Sequence, residues 1–374
     1  MNECKLRIAP VSERNKCIEL ANLCFGFNFR TLLPKAYADN PCMNPTHYVA
    51  DDNGDFKALV DVLPEQLTVG DIVLKTGYVG SVCVHPESRS QGLMKGLMAM
   101  ANDGMRENGT DIAFLNGNRQ RYQYYGYHPA GKTYSFWISG DNWAHALKDI
   151  NADGISFEDI SSGTELEAAA RKLYLSKPVH FSRNDFAVVC RSYYTRPVAV
   201  QRNGSFIGYI VTNGENNCFS EVCFKNALDL DCTLKAWMPK FNVWGINIYL
   251  PEWERDIIRH LAVYASGMGR QASVQARIFN FRRVAEAFLS VKANHNALSD
   301  GKMAFDIDGE CFEITVSDGK LSVTDATSEY TIKLSAYEAN RLMLLPFEYE
   351  GKIKTPYGWF PLGVYVAPNS PDAF

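Results

Sequence analysis

The chain has 374 residues, 46% of them hydrophobic, and a net charge of −4, which allows two or three domains with ample core. Its mild acidity, with an isoelectric point near 6.0, argues against a nucleic acid or an anionic membrane surface as partner and suits a cationic one. Ten cysteines without a Cys-x-x-Cys pair, no secretory leader and no apolar run of about 18 residues point to a reduced, cytoplasmic, soluble protein.

Near the start, Leu6-Arg-Ile-Ala predicts a strand and residues 12–22 a helix, followed by bulky, aromatic residues 25–37 that could line a cleft. Residues 47–51 and 56–63 predict paired strands around Asn53-Gly54, a strong hairpin signal. Residues 77–84 have the near-continuous apolar character of a buried strand, while Leu93, Leu97 and Ala101, with Met94, Met98 and Met105, recur at helical spacing. Between them Pro86 breaks the strand, and Arg89-Ser-Gln-Gly92 puts a cation and a residue without a Cβ where the helix begins. The first N–H groups of a helix have no internal partner, so this loop can cradle a pyrophosphate, aided by the helix dipole and Arg89. An Arg and a Gly at a helix start also occur without any ligand. After Asn108-Gly109 come an apolar strand at 112–115, Asn116-Gly-Asn118 and a tyrosine-rich segment at 121–127.

The first domain is expected to end near Gly140. Beyond it, residues 163–177 and 253–264 are helical by period, and strands at 197–202 and 206–212 flank Asn203-Gly204 as another hairpin. This middle region has no phosphate loop; its nearest candidate, Met268-Gly-Arg270, precedes a strand instead of following one. From about residue 271 a strand at 273–279, a helix at 282–291 and short strands separated by Asp308-Gly309, Asp318-Gly319 and a Thr327-Ser328 turn predict a compact antiparallel α+β unit. No His, Cys, Asp or Glu grouping has metal-ligand spacing, so no metal is expected.

The order strand, phosphate loop, helix, strand, helix resembles the GNAT acetyltransferase superfamily. Its acetyl-CoA signature Arg/Gln-x-x-Gly-x-Gly/Ala is matched by Arg89-Ser-Gln-Gly92-Leu-Met94, with Met94 in place of the small third residue. Its Tyr-x-x-x-Gly-Phe/Tyr element is matched by Tyr122-Gln-Tyr-Tyr-Gly126-Tyr127. With that signature confined to the first third, the three-part layout resembles the enhanced-intracellular-survival (Eis) family of N-acetyltransferases, firmly over residues 78–131 and loosely elsewhere. The resemblance implies an α+β, mixed α/β architecture of two tandem GNAT-like domains, each a mixed central sheet flanked by helices. These would be residues 1–140 and a degenerate copy at 141–270, followed by a sterol-carrier-protein-like α+β domain at 271–374. It also implies acetyl-CoA as co-substrate, a small-molecule or peptide amine as acceptor, aminoglycosides among them, and a homo-oligomer, the hexamer of that family.

On this resemblance Val82, Cys83 and Val84 align the pantetheine arm through their backbone. Arg89, Ser90, Gln91, Gly92, Leu93, Met94 and Lys95 hold the pyrophosphate, and Gly117 and Asn118 flank the cofactor where two parallel strands splay apart. Acetyl transfer to an amine needs a base for the ammonium proton, donors for the oxyanion and an acid for the departing thiolate. Tyr122 is the expected acid, although the five tyrosines between 122 and 134 could equally fill a core. The expected base is the free carboxylate of Phe374, at the end of an aromatic, apolar tail that should dock. Ala373 brings no acidic side chain for binding a cation, a lack Asp372 could make good. His85 and His128 are weaker candidates for the base, and Cys83 could carry an acetyl group or be a core thiol. A rival reading is a non-catalytic CoA-sensing or apolar-ligand-binding protein, told apart by whether acetyl-CoA is turned over or only bound.

Overall fold

A computed structural model of the chain describes residues 4–296, 298–326, 331–345, 353–366 and 370–374. The chain divides into two compact units, the first made of Met1–Ala130, Val274–Leu362 and Phe374, the second of Gly131–Ser273 and Gly363–Ala373. The strands of the first unit begin with β1 (Lys5–Ala9), β2 (Thr46–Asp52), β3 (Asp55–Val69), β4 (Ile72–Val84), β5 (Ile112–Leu115) and β6 (His128–Ala130). The second unit holds β7 (Thr133–Ser139), β8 (Ile155–Asp159), β9 (Val179–Phe181), β10 (Arg196–Arg202), β11 (Ser205–Thr212), β12 (Cys218–Phe224), β13 (Gly245–Pro251) and β14 (Gly267–Gln271). The first unit resumes with β15 (Val274–Ile278), β16 (Gly301–Ile307), β17 (Glu310–Ser317), β18 (Lys320–Asp325) and β19 (Ile332–Leu334).

In the first unit one sheet runs in the order β1-β2-β3-β4-β5-β15-β6. The β2–β3 turn is the expected Asn53-Gly54, with φ values of 54° and 95° that suit an Asn-Gly hairpin. β4 reaches back to Ile72, further than its apolar run shows, because Ile72–Thr76 pairs with Val69–Glu65 in a long antiparallel ladder whose turn is at Gly70. β5 is parallel to β4 and buried at every position, as befits a central strand. The helix Leu93–Glu107 packs Leu97, Met98, Ala101 and Met105 on Val60, Val62 and Val79. Gly77 lets that helix approach, since a Cβ there would lie 2.6 Å from Met105 Sδ.

The second sheet has the order β14-β7-β13-β12-β11-β10-β8. Its core joins Phe136, Ile138, Phe219, Trp237, Ile246 and Ile248. Within it β8-β10-β11-β12-β13 repeats the order and sense of β1-β2-β3-β4-β5: three antiparallel steps, then a parallel pair bridged by a helix, here Asp229–Phe241. The matching helix start lacks the Arg89-to-Gly92 arrangement and is preceded by Asn226-Ala227-Leu228.

The remaining sheet is β18-β17-β16-β19, beside the helices Phe281–Ala293 and Ala336–Leu344. Asp308-Gly309 and Asp318-Gly319 are hairpin turns with positive φ at all four residues. The expected Thr327-Ser328 turn lies outside the described residues.

Several predicted elements differ. Residues 133–139, expected to close the first domain near Gly140, form β7 in the second sheet, held between β13 and β14. Met268-Gly-Arg270 is no loop but part of β14, because its backbone pairs with Phe136, Ser135 and Tyr134. The strand read as opening the C-terminal α+β unit is β15, which joins the first sheet between β5 and β6. That α+β unit is not wholly antiparallel, since β16 and β19 pair in parallel.

Candidate active site

The site is built where β4 and β5 part. Parallel pairing runs from Thr76–Ile112 to Val79–Leu115 and stops. From Gly80 on, β4 keeps its ladder to β3 on one side, through Leu59–Cys83 and Ala58–Val84, and its other edge has no strand of the first sheet beside it. This is the splay the sequence predicts, with Val82, Cys83 and Val84 along one arm and Gly117 and Asn118 at the end of the other. The Val84 carbonyl accepts a weak bond from Cys24 Sγ at 3.5 Å, which leaves a lone pair for a second donor.

The parting is set by a bulge. The β3–β4 register shifts between Leu59 and Asp61, so Val60 faces both Ser81 and Val82, and Ser81 takes φ 52°. That left-handed conformation costs a residue with a Cβ about 1–2 kcal/mol, and the hydrogen bonds described below hold it in place.

Beyond β4, Pro86–Ser88 forms a single 3-10 turn, Arg89 is extended, Ser90 has φ 66°, and Gly92 has φ 77° at the helix N-cap. No side chain caps this helix, and a Cβ at Gly92 would meet nothing within 4 Å. The first amides of Leu93, Met94 and Lys95 therefore open on exposed Arg89, Ser90 and Gln91, an arrangement that fits a phosphate group.

On the opposite arm the Asn118 side chain accepts from Gln120 N at 3.0 Å and starts the single-turn helix Arg119–Tyr122. This places Tyr122 against Gly117, where any Cβ would overlap the tyrosine ring. Tyr122 is 7% exposed, and its hydroxyl makes no hydrogen bond with a described residue. Burial raises its pKa, opposed by Arg121 and helped by Tyr125 and Cys83, so the hydroxyl keeps its proton at neutral pH. Tyr122 also packs in the core of the first sheet, as the core-filling reading of this residue expects.

Phe374 belongs to the first unit and is 5% exposed. Its carboxyl lies against Gly80: a Cβ on that glycine would stand 2.7 Å from Phe374 C and 2.8 Å from its oxygen. Its ring stacks on Tyr37, with centroids 5.8 Å apart and planes at 21°.

Beneath this lies a polar cluster that the sequence reading missed. Tyr37 donates to Asp61 Oδ2 and shares a 2.7 Å hydrogen bond with Ser81 Oγ, while His47 Nδ1 is 2.6 Å from Asp61 Oδ1. Tyr37 and Asp61 are fully buried, His47 and Ser81 nearly so. Burial pulls the His47 imidazole down, but the Asp61 charge and hydrogen bond outweigh it and hold the ring above its ordinary value. Burial likewise pushes the Tyr37 hydroxyl far up, reinforced by Asp61.

Other candidates fall away from this chemistry. Cys83 is buried and its thiol is pushed well above its ordinary range, first by burial and then by Cys24, which disfavours the nucleophilic thiolate. His85 Nδ1 accepts from Glu87 N at 3.4 Å as a local cap. His128 is not solvated at a loop mouth: it is buried on β6, edge-on to Tyr337 at 4.8 Å, and burial with Arg341 and Arg119 lowers its pKa to about 4. Asp372 is not free to bind a cation. In the second unit its carboxylate is held by Arg183 at 2.9 and 2.7 Å, and Arg183 in turn bonds Glu221 at 3.0 and 2.6 Å. Among the described residues no group of three or more His, Cys, Asp or Glu side chains could hold a metal ion.

Residues 5–130 match the family model of the acetyltransferase (GNAT) domain, and through this domain the chain is an acetyltransferase, a class that uses acetyl-CoA. No curated protein matches. Among solved structures, the chain is similar to a GCN5-related N-acetyltransferase from Kribbella flavida, at a TM-score of 0.66 and 14% identity, covering 100% of this chain and 99% of that one. A probable N-acyltransferase from Enterococcus faecalis gives a TM-score of 0.66 at 14% identity, with 91% and 89% covered. Eis1 from Mycobacterium abscessus gives 0.58 at 13% identity, with 89% and 87% covered. At such identities the likeness is one of fold. That fold is mixed α/β and GNAT-like with several sheets. Among the described residues no helix is long and apolar enough to cross a membrane.

Proposed function

We propose that the chain is an Eis-like N-acetyltransferase that moves the acetyl group of acetyl-CoA to a primary amine of a cationic acceptor, aminoglycoside-like or polyamine-like. The observation that carries this reading is the seating of the Phe374 carboxyl on Gly80, where β4 opens, with the Tyr122 ring packed on Gly117 on the other arm. The Phe374 carboxylate takes the proton of the attacking ammonium, and Tyr122, kept protonated by burial, returns one to the thiolate. Backbone groups of Val82, Cys83 and Val84 align the pantetheine arm. Arg89 and the backbone from Ser90 to Lys95 hold the pyrophosphate, and Gly117 and Asn118 flank the cofactor where the strands part. The net charge of −4 favours a cation.

In this reading the chain comprises a GNAT domain built on the first sheet, a degenerate second copy built on the second sheet and a sterol-carrier-like part built on β16 to β19, and it works in the cytoplasm as a hexamer. The repeated strand order of the two large sheets supports the tandem pair.

The test is thiol release from acetyl-CoA with aminoglycosides, polyamines and basic peptides offered in turn. Release with one class is expected, together with its loss when the chain is extended by one residue beyond Phe374 while CoA still binds. Silence across the three classes, with acetyl-CoA bound, would sink the reading.

A further inference from the structure

Between β2 and β3 and under the open end of β4 lies a buried chain of polar groups that no step above uses. Its proton order can be worked out. The Tyr37 hydroxyl has one hydrogen, and it is given to Asp61 Oδ2; the 2.7 Å contact with Ser81 must then be a bond donated by Ser81. Asp61 Oδ1 is taken by His47 Nδ1 at 2.6 Å. A fully buried carboxylate thus accepts the tyrosine's hydrogen bond on one oxygen and is held by His47 on the other, and the tyrosine is itself completely enclosed.

Besides Asp61 and the neighbouring rings of Phe29 and His47, that tyrosine reaches two parts of the site. Its ring stacks on the Phe374 ring at 5.8 Å, and its hydroxyl holds Ser81, the residue in the left-handed conformation that makes the β4 bulge. Gly80, against which the Phe374 carboxyl rests, is the residue just before Ser81. A rigid tyrosine therefore connects the last residue of the chain to the turn of β4 on which its carboxyl sits.

We propose that Tyr37, aimed by Asp61 and His47, is a positioning residue that sets where the Phe374 carboxyl stands relative to the open edge of β4. This rests on the reading of that carboxylate as the base. Tyr37 touches no reacting atom; it clamps one end of the chain by its ring and the strand bulge by its hydroxyl, and the carboxyl is placed between the two.

The test reads the carboxyl directly. The chain has 21 phenylalanines, and with phenylalanine labelled at the carbonyl carbon only Phe374 gives a carboxyl signal that titrates. In the full chain, Tyr37→Phe keeps the stacked ring and loses the bonds to Asp61 and Ser81, and Ser81→Ala loses the Ser81 bond alone from the other side. Both are expected to move the Phe374 carboxyl resonance and its titration midpoint, and the pair together to do no more than Tyr37→Phe alone. With kanamycin and spermidine as probes, each should lower kcat on the order of ten- to a hundredfold while KM for acetyl-CoA holds. An unchanged carboxyl resonance and titration in both variants overturns the proposal, even if the melting temperature falls. Absence of thiol release by the unmodified chain counts against the transfer reading instead, and the carboxyl signal still decides for or against Tyr37.

Discussion

At the scale of single residues, the two arms of the splay depend on glycines for opposite reasons. Gly80 leaves room for the Phe374 carboxyl, 2.7 Å from where a Cβ would stand. Gly80→Ala should therefore displace the end of the chain and cut kcat while acetyl-CoA affinity stays, since the phosphate loop is untouched; a titration of CoA binding beside steady-state rates checks this. Gly117 gives its space to Tyr122. Tyr122→Phe keeps that packing and removes the proton, so turnover should fall on the order of a hundredfold, the lower end for general acid catalysis, with acetyl-CoA binding unaltered. Equal losses in both would mark the tyrosine as packing alone. His128 bears on stability instead. Its pKa of about 4 in the fold lies below the ordinary 6.5, so the unfolded chain takes up a proton first as pH falls. The stability it contributes is whole above pH 6.5 and is lost as pH drops toward 4, a decline of about 3 kcal/mol. Urea midpoints at pH 7 and pH 4.5 should separate more in the unmodified chain than in His128→Gln.

At the scale of elements, the hairpin of β2 and β3 shows how far sequence reaches. Counting back from Asn53-Gly54, where Asp52 faces Asp55, pairs His47 with Val60. The bulge between Ala50 and Asp51 inserts one residue and pairs it with Asp61 instead. Alternation and turn chemistry revealed the hairpin, but no local signal announced the bulge, so the buried His47–Asp61 pair stayed hidden. The loop from Pro86 to Gly92 was legible because its determinants are local: a strand end, a proline, a cation and a glycine at a helix start. In the second unit the tail is tied by Arg183, which also lies over the Tyr174 ring at 3.9 Å and bonds both Asp372 and Glu221. Arg183→Ala would leave two carboxylates buried without their cation, and breaking such a pair costs about 3–5 kcal/mol. A matching fall in the urea midpoint of the second unit, followed through its tryptophan core at Trp237, is the expected result; no change would mean that water replaces the guanidinium.

At the scale of the molecule, the first sheet is not completed by the first stretch of chain. β15 lies more than a hundred residues beyond β6 and is the strand beside β5. A polypeptide of residues 1–140 should therefore expose the apolar edge of β5, where all four residues are buried in the full chain, and should aggregate. A monomeric, cooperatively melting species in gel filtration and circular dichroism would show that β15 is dispensable. What the sequence by itself determined was each unit of short range: the hairpin turns, the helix periods, the strand-to-helix loop at Pro86 to Gly92 and the GNAT-type order of elements around it, all of which depend on neighbours within a few residues. Only the tertiary structure decided which strand stands beside β5, which groups meet beneath Ser81, that Asp372 is committed to Arg183, and that Phe374 rests on Gly80. Each of these is a pairing between residues far apart in the chain, made by hydrogen-bond register and shape, and no spacing along the sequence encodes such a meeting.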